Sequence, residues 1–335
     1  MQIEKNISLK KYNSFGVHVN AELFAEVKTI EDLKELFRRR EYLENRSLIL
    51  GGGSNILFTE NYDGIVIKNS LEGIRVVSED ESSILIEAAG GENWDSLVEY
   101  CVKRQYWGLE NLSLIPGTAG AAPIQNIGAY GAELTDVFDH LYGYDLHTSD
   151  ERKFSNEQCR FSYRNSIFKN ELKGKFIITS IVLKLSKVPA PNLRYAELKK
   201  EVGGGPINIS HIRETVCNIR QRKLPDPEYI GNAGSFFKNP VVSISEYDTL
   251  KKEFPGLPGF SSTSDRIKIS AGWLIEQCGL KGLKHGNAGV YEKQALVFVN
   301  YGGAAGKEIL ELAEIVKNAV LQKFKIELAS EVNII

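Results

Sequence analysis

Between Asn111 and Ala132 the chain runs for 22 residues without a charged side chain, and this window limits the fold more than any other stretch. Its heart, Leu114 to Ala132, reads LIPGTAGAAPIQNIGAYGA. Pro116, Pro123, four glycines and the amides of Gln125 and Asn126 break it too often for a membrane-spanning helix, whose backbone must satisfy itself internally. It reads as irregular backbone held inside the molecule, which is costly unless its N–H and C=O groups find partners. Gly117, Gly120, Gly128 and Gly131 allow close approach of main chain to a ligand or positive φ, and a row of N–H donors suits a pyrophosphate. A tight crossing of two elements in a core fits the same composition.

With 335 residues and 42% hydrophobic content, the chain can bury a substantial core and is long enough for two or three domains. A formal charge of −2 and a pI near 6.3 leave no electrostatic footprint for nucleic acid. Cys101, Cys159, Cys217 and Cys278 are scattered, without a C-x-x-C pair or a histidine cluster. A disulfide framework or zinc site is therefore not expected, and a reducing cytosol suits the chain. The N-terminal MQIEKNISLKKYNSFG lacks the apolar core of a secretory signal. A cytoplasmic protein is expected.

The pattern of apolar residues points to mixed α and β structure. Glu31 to Arg40 reads as an amphipathic helix, and Ser47 to Leu50 as an apolar strand running into Gly51-Gly52-Gly53-Ser54-Asn55. Such a junction suits an anion or cofactor loop and equally an ordinary turn. No G-x-G-x-x-G and no Walker A motif is present, so the fingerprints of dinucleotide-binding Rossmann domains and P-loop NTPases are missing. Gly64 to Lys68 and Ser83 to Ala89 read as strands, and Trp94, Leu97, Val98, Cys101 and Val102 share a helical face. Phe176 to Leu185 alternates like a half-buried strand, and a domain change is expected between 186 and 206. Helices are expected over Ile209 to Ile219, Ile269 to Cys278 and Gly306 to Phe324, with a strand at Ala295 to Val299.

Three further segments carry chemistry. In RFSYRNSIFK, Arg164 beside Tyr163 can fork onto a carboxylate or phosphate; a surface arginine on a turn is the plainer reading. In KLPDPEYIGNAGSFFKNP, Ser235 lies between a flexible turn and Phe236-Phe237, where a hydroxyl can donate a proton in a dry pocket. Lys223, Lys238 and Asn239 add donors that suit phosphates. None of the five histidines lies in a recognisable nucleophile motif. At the C-terminus Glu331 precedes an apolar, strand-like end and is expected to be carried inward.

Together these segments resemble one family in order and spacing. L-G-G-G-S-N from Leu50, I-P-G-T-A-G-A-A-P-I-Q-N-I-G-A-Y-G from Ile115, Y-R-N-S-I-F-K from Tyr163, K-L-P-D-P from Lys223, G-N-A-G-S-F-F-K-N-P from Gly231 and Q-A-L-V from Gln294 are similar to the UDP-N-acetylenolpyruvoylglucosamine reductases. These are flavin enzymes of peptidoglycan precursor synthesis. The resemblance spans roughly residues 10 to 335. The stretch around Tyr195 and A-G-W-L-I-E-Q-C-G-L-K-G from Ala271 resemble the form of the family with a substrate-capping tyrosine loop.

The resemblance implies an α+β fold: a two-part FAD-binding domain of the vanillyl-alcohol-oxidase type over residues 1–205, rejoined by 311–335, and a smaller α+β substrate-binding domain over 206–310. It implies noncovalent FAD held at Gly51, Gly52, Gly53, Ser54 and Asn55, and at Ile115, Pro116, Gly117, Gln125, Asn126, Gly128, Ala129, Tyr130 and Gly131. NADPH would be the co-substrate, and UDP-N-acetylglucosamine enolpyruvate would be reduced to UDP-N-acetylmuramate. Arg164 and Glu331 would stabilise developing charge and Ser235 would protonate the α-carbon, while Tyr163, Tyr195, Lys223, Asn239 and Gln294 would contact substrate. No metal is implied, and a monomer without membrane or nucleic-acid partners is expected. Around Glu331 the family usually reads Glu-Pro-Glu-Val-Arg where this chain has Ala329-Ser330-Glu331-Val332-Asn333, so that assignment rests on Glu-Val and the apolar ending. A flavin oxidase or dehydrogenase of the same fold, acting on a small alcohol or hydroxy acid, is the second reading. It would keep the glycine loops but have no use for G-N-A-G-S-F-F-K-N-P.

Overall fold

A computed structural model describes residues 1–204, 207–261 and 263–335. The chain forms two compact units, the first of Met1–Ile7, Ala21–Gly53 and Tyr62–Arg222, the second of Ser8–Asn20, Ser54–Asn61 and Lys223–Ile335. This is a different division from the expected 1–205, 206–310 and 311–335; residues 205 and 206, where the boundary was expected, lie outside the described residues. Packing explains both departures. The helix Ile209–Lys223 buries Ile209, Ile212, Val216 and Ile219 in the main core of the first unit. A boundary at 310 would cut through the single helix Gly306–Phe324. That helix buries Leu312, Ala313, Val316, Val320 and Phe324, and the Phe324 ring lies 4.7 Å from Phe254.

The first unit holds two sheets. In one, Ile3–Ser8, Asn20–Val27, Tyr62–Asn69 and Ser47–Leu50 lie in that order, and Tyr62–Asn69 pairs in parallel with both of its neighbours. Thr29 and Asp32 form a capping box that starts a helix at Ile30–Leu36. The expected helix over Glu31 to Arg40 ends there, at Phe37, whose ring packs against Tyr42 and Tyr144, and a separate turn of helix covers Arg40–Leu43. The other sheet is antiparallel, in the order Glu151–Ser155, Phe138–Asp145, Phe176–Ser186, Ser83–Ala89, Ile74–Glu79. Phe176–Ser186 is its central strand and is buried on both faces rather than one, because Ile177 enters one core cluster while Ile178, Ile181, Leu183 and Leu185 enter another. The helix Trp94–Lys103, N-capped by Asn93, lays Trp94, Leu97, Val98, Cys101 and Val102 into the larger cluster. Each such side chain contributes roughly 1.5–3 kcal/mol on burial.

The second unit is built on an antiparallel sheet in the order Gly231–Ser235, Val297–Asn300, Ala288–Val290, Lys284–His285. Phe15, Phe236, Phe237 and Phe298 form its aromatic core, with Phe236 stacked on Phe298 at 4.6 Å. A three-stranded sheet of Val241–Ser243, Arg266–Ile269 and Gly259–Ser261 adjoins the helix Ala271–Gln277, which Ser270 caps and Gly279, at φ +72°, follows. Asn333–Ile334 pairs in parallel with Ile56–Leu57, so the C-terminus is held rather than frayed.

Candidate active site

The uncharged window of the first unit is pinned at its start. Leu114 N–H donates to Asp95 Oδ1 at 2.6 Å, Trp94 N–H to Gly117 O at 3.1 Å and Gly120 N–H to Gly90 O at 2.8 Å. Two glycine-rich turns then meet backbone to backbone: a Cβ on Gly52 would lie 2.8 Å from Gly117 Cα, and one on Gly51 2.6 Å from Thr118 Oγ1. Side chains are excluded there by contact, so main-chain groups remain to face a ligand. Further on, Ala122–Gln125 forms a 3-10 turn that ends at Asn126 in the left-handed region, and the Asn126 side chain bonds Glu133 Oε2, Ser162 O and Thr135 N–H.

Gly128–Ala129 and Ala132–Glu133 make a short hairpin whose two-residue turn, Tyr130-Gly131, has positive φ at both positions. This is the type I′ geometry. A tyrosine at φ +49° is strained; its hydroxyl bonds the buried Arg220 and its ring meets Tyr195 edge-on at 5.3 Å. Burial pushes the Tyr130 phenol up to about 12 and holds the Arg220 guanidinium below its ordinary range.

The Tyr163–Lys169 segment is tied to this loop. Arg164, at φ +53°, donates from Nη2 to Gly128 O at 2.7 Å, and its guanidinium sits 5.7 Å from the Tyr163 ring centroid. Ser166 Oγ donates to Ile124 O, and Lys169 Nζ to Gln125 Oε1 at 3.2 Å. Tyr195 caps the helix Ala196–Val202 and is 41% exposed. Asn111, buried, anchors the approach to it by donating to Tyr130 O at 2.8 Å and Asn192 O at 2.9 Å. Asp95 and Arg213 form a two-pronged ion pair at 2.7 and 2.9 Å. Burial works against the charge of Asp95, but the bonds from Arg213 and Leu114 N–H, with the charges of Arg213 and Arg220, hold its carboxyl below the usual range.

Ser54 and Asn55 belong to the second unit, where Asn55 Nδ2 donates to Glu331 O at 3.3 Å and Asn55 O accepts from Asn333. The chain passes from one unit to the other within the expected L-G-G-G-S-N loop. In the second unit, residues 329–331 run antiparallel to 236–238: Glu331 N–H donates to Phe236 O at 2.8 Å, Lys238 N–H to Ala329 O at 2.9 Å, and Phe237 pairs with Ser330. Buried Glu331 thus lies against the strand that carries half-buried Ser235. Asn239 Oδ1 accepts Ala271 N–H at 2.9 Å, and Gln294 Oε1 lies 3.2 Å from where a Cβ on Gly272 would be, so both flank the first turn of the same helix. Lys223 ends the helix Ile209–Lys223. Asn111, Thr118, Asn232 and the Asp95–Arg213 pair were not singled out from the sequence; the run G-N-A-G already carried the Asx-turn signal that marks Asn232.

Residues of the first unit fit a flavin nucleotide. Buried Thr118 Oγ1 and Asn111 Oδ1 have no hydrogen-bond partner among the described residues, and buried polar atoms of that kind are normally satisfied. They accompany a backbone cradle that an added Cβ would fill. Among the described residues, no group of three or more His, Cys, Asp or Glu could hold a metal ion, and no helix is long and apolar enough to cross a membrane.

Comparison with known proteins agrees with this geometry. Residues 226–335 match the model of the UDP-N-acetylenolpyruvoylglucosamine reductase C-terminal domain, and residues 21–153 match an FAD binding domain. Among relatives named UDP-N-acetylenolpyruvoylglucosamine reductase, that of Flavobacterium johnsoniae is 42% identical with 100% of both chains covered. That of Aliivibrio fischeri is 46% identical over 99% of this chain and 94% of its own. The crystal structure of UDP-N-acetylenolpyruvylglucosamine reductase from Thermus caldophilus superposes with a TM-score of 0.70 at 25% identity, covering 100% of this chain and 99% of that one. p-Cresol methylhydroxylase, at a TM-score of 0.51 and 11% identity over 97% of this chain and 84% of its own, shares the fold.

Proposed function

Because the chain belongs to the UDP-N-acetylenolpyruvoylglucosamine reductase family, we propose that Ser235 is the proton donor of its reaction and that Arg164 and Glu331 stabilise the charge formed on the way. The enzyme is an FAD-dependent oxidoreductase that uses NADPH to reduce UDP-N-acetylglucosamine enolpyruvate to UDP-N-acetylmuramate, in peptidoglycan precursor synthesis. FAD, held by the glycine-rich turns, would supply the hydride chemistry that links NADPH to the vinyl methylene carbon of the substrate.

The remaining chemistry belongs to the chain. As hydride arrives at the methylene carbon, the electron pair of the double bond moves onto the α-carbon and into the carboxylate. Arg164, fixed by its bond to Gly128 O, offers a preorganised positive charge to that developing anion. The Ser235 O–H bond then breaks as a C–H bond forms at the α-carbon, and the serine regains its proton from water. A serine is a weak acid, so the step needs its proton held in line and its oxygen stabilised. Glu331 shares that proton path or holds it by hydrogen bond. Gly51, Gly52 and Gly53, with Ile115, Pro116, Gly117, Gln125, Asn126, Gly128, Ala129, Tyr130 and Gly131, are the proposed FAD contacts of the first unit, joined by Ser54 and Asn55. Tyr163, Tyr195, Lys223, Asn239 and Gln294 are the proposed UDP-sugar contacts. The observation that supports the reading most is the main-chain bond from Glu331 N–H to the carbonyl of Phe236, the residue that follows Ser235.

We also take the enzyme to act as a cytoplasmic monomer without nucleic-acid or membrane partners. Four free thiols and a charge of −2 support that placement, and a light-scattering mass near 37.4 kDa is expected for the monomer. The roles are tested by a two-step anaerobic experiment. The enzyme is reduced with NADPH, freed of nicotinamide, and mixed with UDP-N-acetylglucosamine enolpyruvate while flavin absorbance is followed. Ser235→Ala should slow reoxidation roughly 10²–10⁴-fold with the NADPH step unchanged. Equal rates in parent and variant would remove Ser235 from the proton path. A flavin that stays reduced until oxygen is admitted would favour the oxidase reading.

A further inference from the structure

We propose that Asn232 is the positioning residue for Ser235, holding the bulge that aims the serine; the inference rests on the reading of Ser235 as proton donor. The strand Gly231–Ser235 pairs antiparallel with Val297–Asn300, but its register slips: Asn232 faces Val299, and Ser235 faces Val297. Ala233 and Gly234 therefore stand opposite the single residue Phe298. One extra residue of this kind bends a strand and redirects the side chain that follows.

The bulge needs something to hold it. Gly234 takes φ +67°, and a Cβ built on it would meet nothing within 4 Å among the described residues, so their packing does not restrain it. Glycine is also the residue with the most backbone freedom to lose. The restraint comes from the Asn232 carboxamide, which is only 4% exposed. Its Oδ1 accepts Gly234 N–H at 3.0 Å, and its Nδ2 donates to Ile230 O at 2.9 Å and Pro225 O at 3.1 Å. Its backbone N–H donates to Ser14 O at 2.9 Å. Gly231, one residue earlier, cannot shift to compensate, because a Cβ there would lie 2.2 Å from Phe15 O. One amide thus fixes the glycine just before Ser235, and through Pro225 it also grips the turn that follows Lys223.

A residue that only stabilised the sheet would affect the two half-reactions alike and would act independently of the serine. Asn232→Ala should slow reoxidation by UDP-N-acetylglucosamine enolpyruvate about 10–100-fold, with flavin reduction by NADPH and the Kd for the enolpyruvyl substrate within twofold of the parent. In the Ser235→Ala background the same change should have less than about a twofold effect, because the group it positions is gone. Gly234→Ala is the second variant: it strains the same bulge from open space, and it should reproduce the selective slowing should Asn232→Ala fail to fold. Hydrogen–deuterium exchange across 231–236 should quicken in Asn232→Ala even without substrate. An equal slowing with and without Ser235, a parallel fall in both half-reactions, or unchanged exchange would overturn the proposal. If Ser235→Ala alone leaves reoxidation untouched, the reading of the serine fails, and the positioning role falls with it.

Discussion

The glycine-rich turns of the first unit and the bulged strand of the second are both short, polar and poor in regular structure, yet they use glycine for opposite ends. At Gly51 and Gly52 glycine is demanded by crowding, since main chain meets main chain within contact distance. At Gly234 it is demanded by conformation alone, in open space. The first arrangement presents backbone donors and tolerates changes of side-chain identity so long as nothing bulky intrudes. The second, on the proposed role of Ser235, would present one hydroxyl whose aim depends on the bulge before it. A cofactor common to many chemistries suits the former, and a single proton transfer suits the latter.

The comparison can be broken in order of effect. The largest is the dissociation of two losses: Ser235→Ala should cost the second half-reaction the factor already given and leave FAD affinity within twofold. Gly52→Ala should do the reverse, weakening FAD binding roughly 10–100-fold, as about 1–3 kcal/mol of overpacking implies; flavin fluorescence titration reads it. Stoichiometric FAD in purified Gly52→Ala would mean the backbone cradle is not where the cofactor sits.

Next is the ion pair beneath the loop. Asp95→Asn should destabilise the protein by about 2 kcal/mol at neutral pH, measured by urea unfolding. The sign with pH follows from a carboxyl held below its ordinary range. Its stabilisation is complete above the unfolded value of about 4 and disappears as pH falls through the folded one, so the parent and Asp95→Asn curves should converge on acidification. A gap that widens in acid would reverse the assignment. The smallest effect is Ala121→Ser, where a main-chain cradle should shift FAD affinity by less than about 0.5 kcal/mol. A larger shift would mean the side chain at 121 takes part in recognition.

Much of this was legible in the sequence wherever the signal is local. The helix Gly306–Phe324 coincides with its apolar spacing, and the strand Ser47–Leu50 ends at the glycines that follow it. The resemblance brought forward Arg164, Ser235 and Glu331, and the structure adds how the latter two share a unit. What stayed hidden depends on partners far along the chain. Ser8–Asn20 and Ser54–Asn61 have no periodicity that assigns them to the second unit; Asn300 Nδ2 bonding Phe15 O, and Thr59 bonding Ile335 O, do that. The double burial of Phe176–Ser186 was hidden for the same reason, since its second face is covered by residues of a separate cluster. Tyr130 in a type I′ turn runs against propensity, and only its bond to Arg220 and its contact with Tyr195 make sense of it.

The interleaving of segments in the second unit has a consequence for how the protein is made. Ser14 and Phe15 take their places against Asn232, Phe236 and Asn300, and Leu57 and Thr59 pair with Ile335. At a synthesis rate of roughly 5–20 residues per second, the earliest of these segments waits on the order of tens of seconds for its partners to emerge. The first unit needs only residues that precede Lys223 and can condense while translation continues. The second cannot close until Ile335 has emerged, and until then Phe15, Leu57 and Phe58 are available to the chaperones that meet nascent chains.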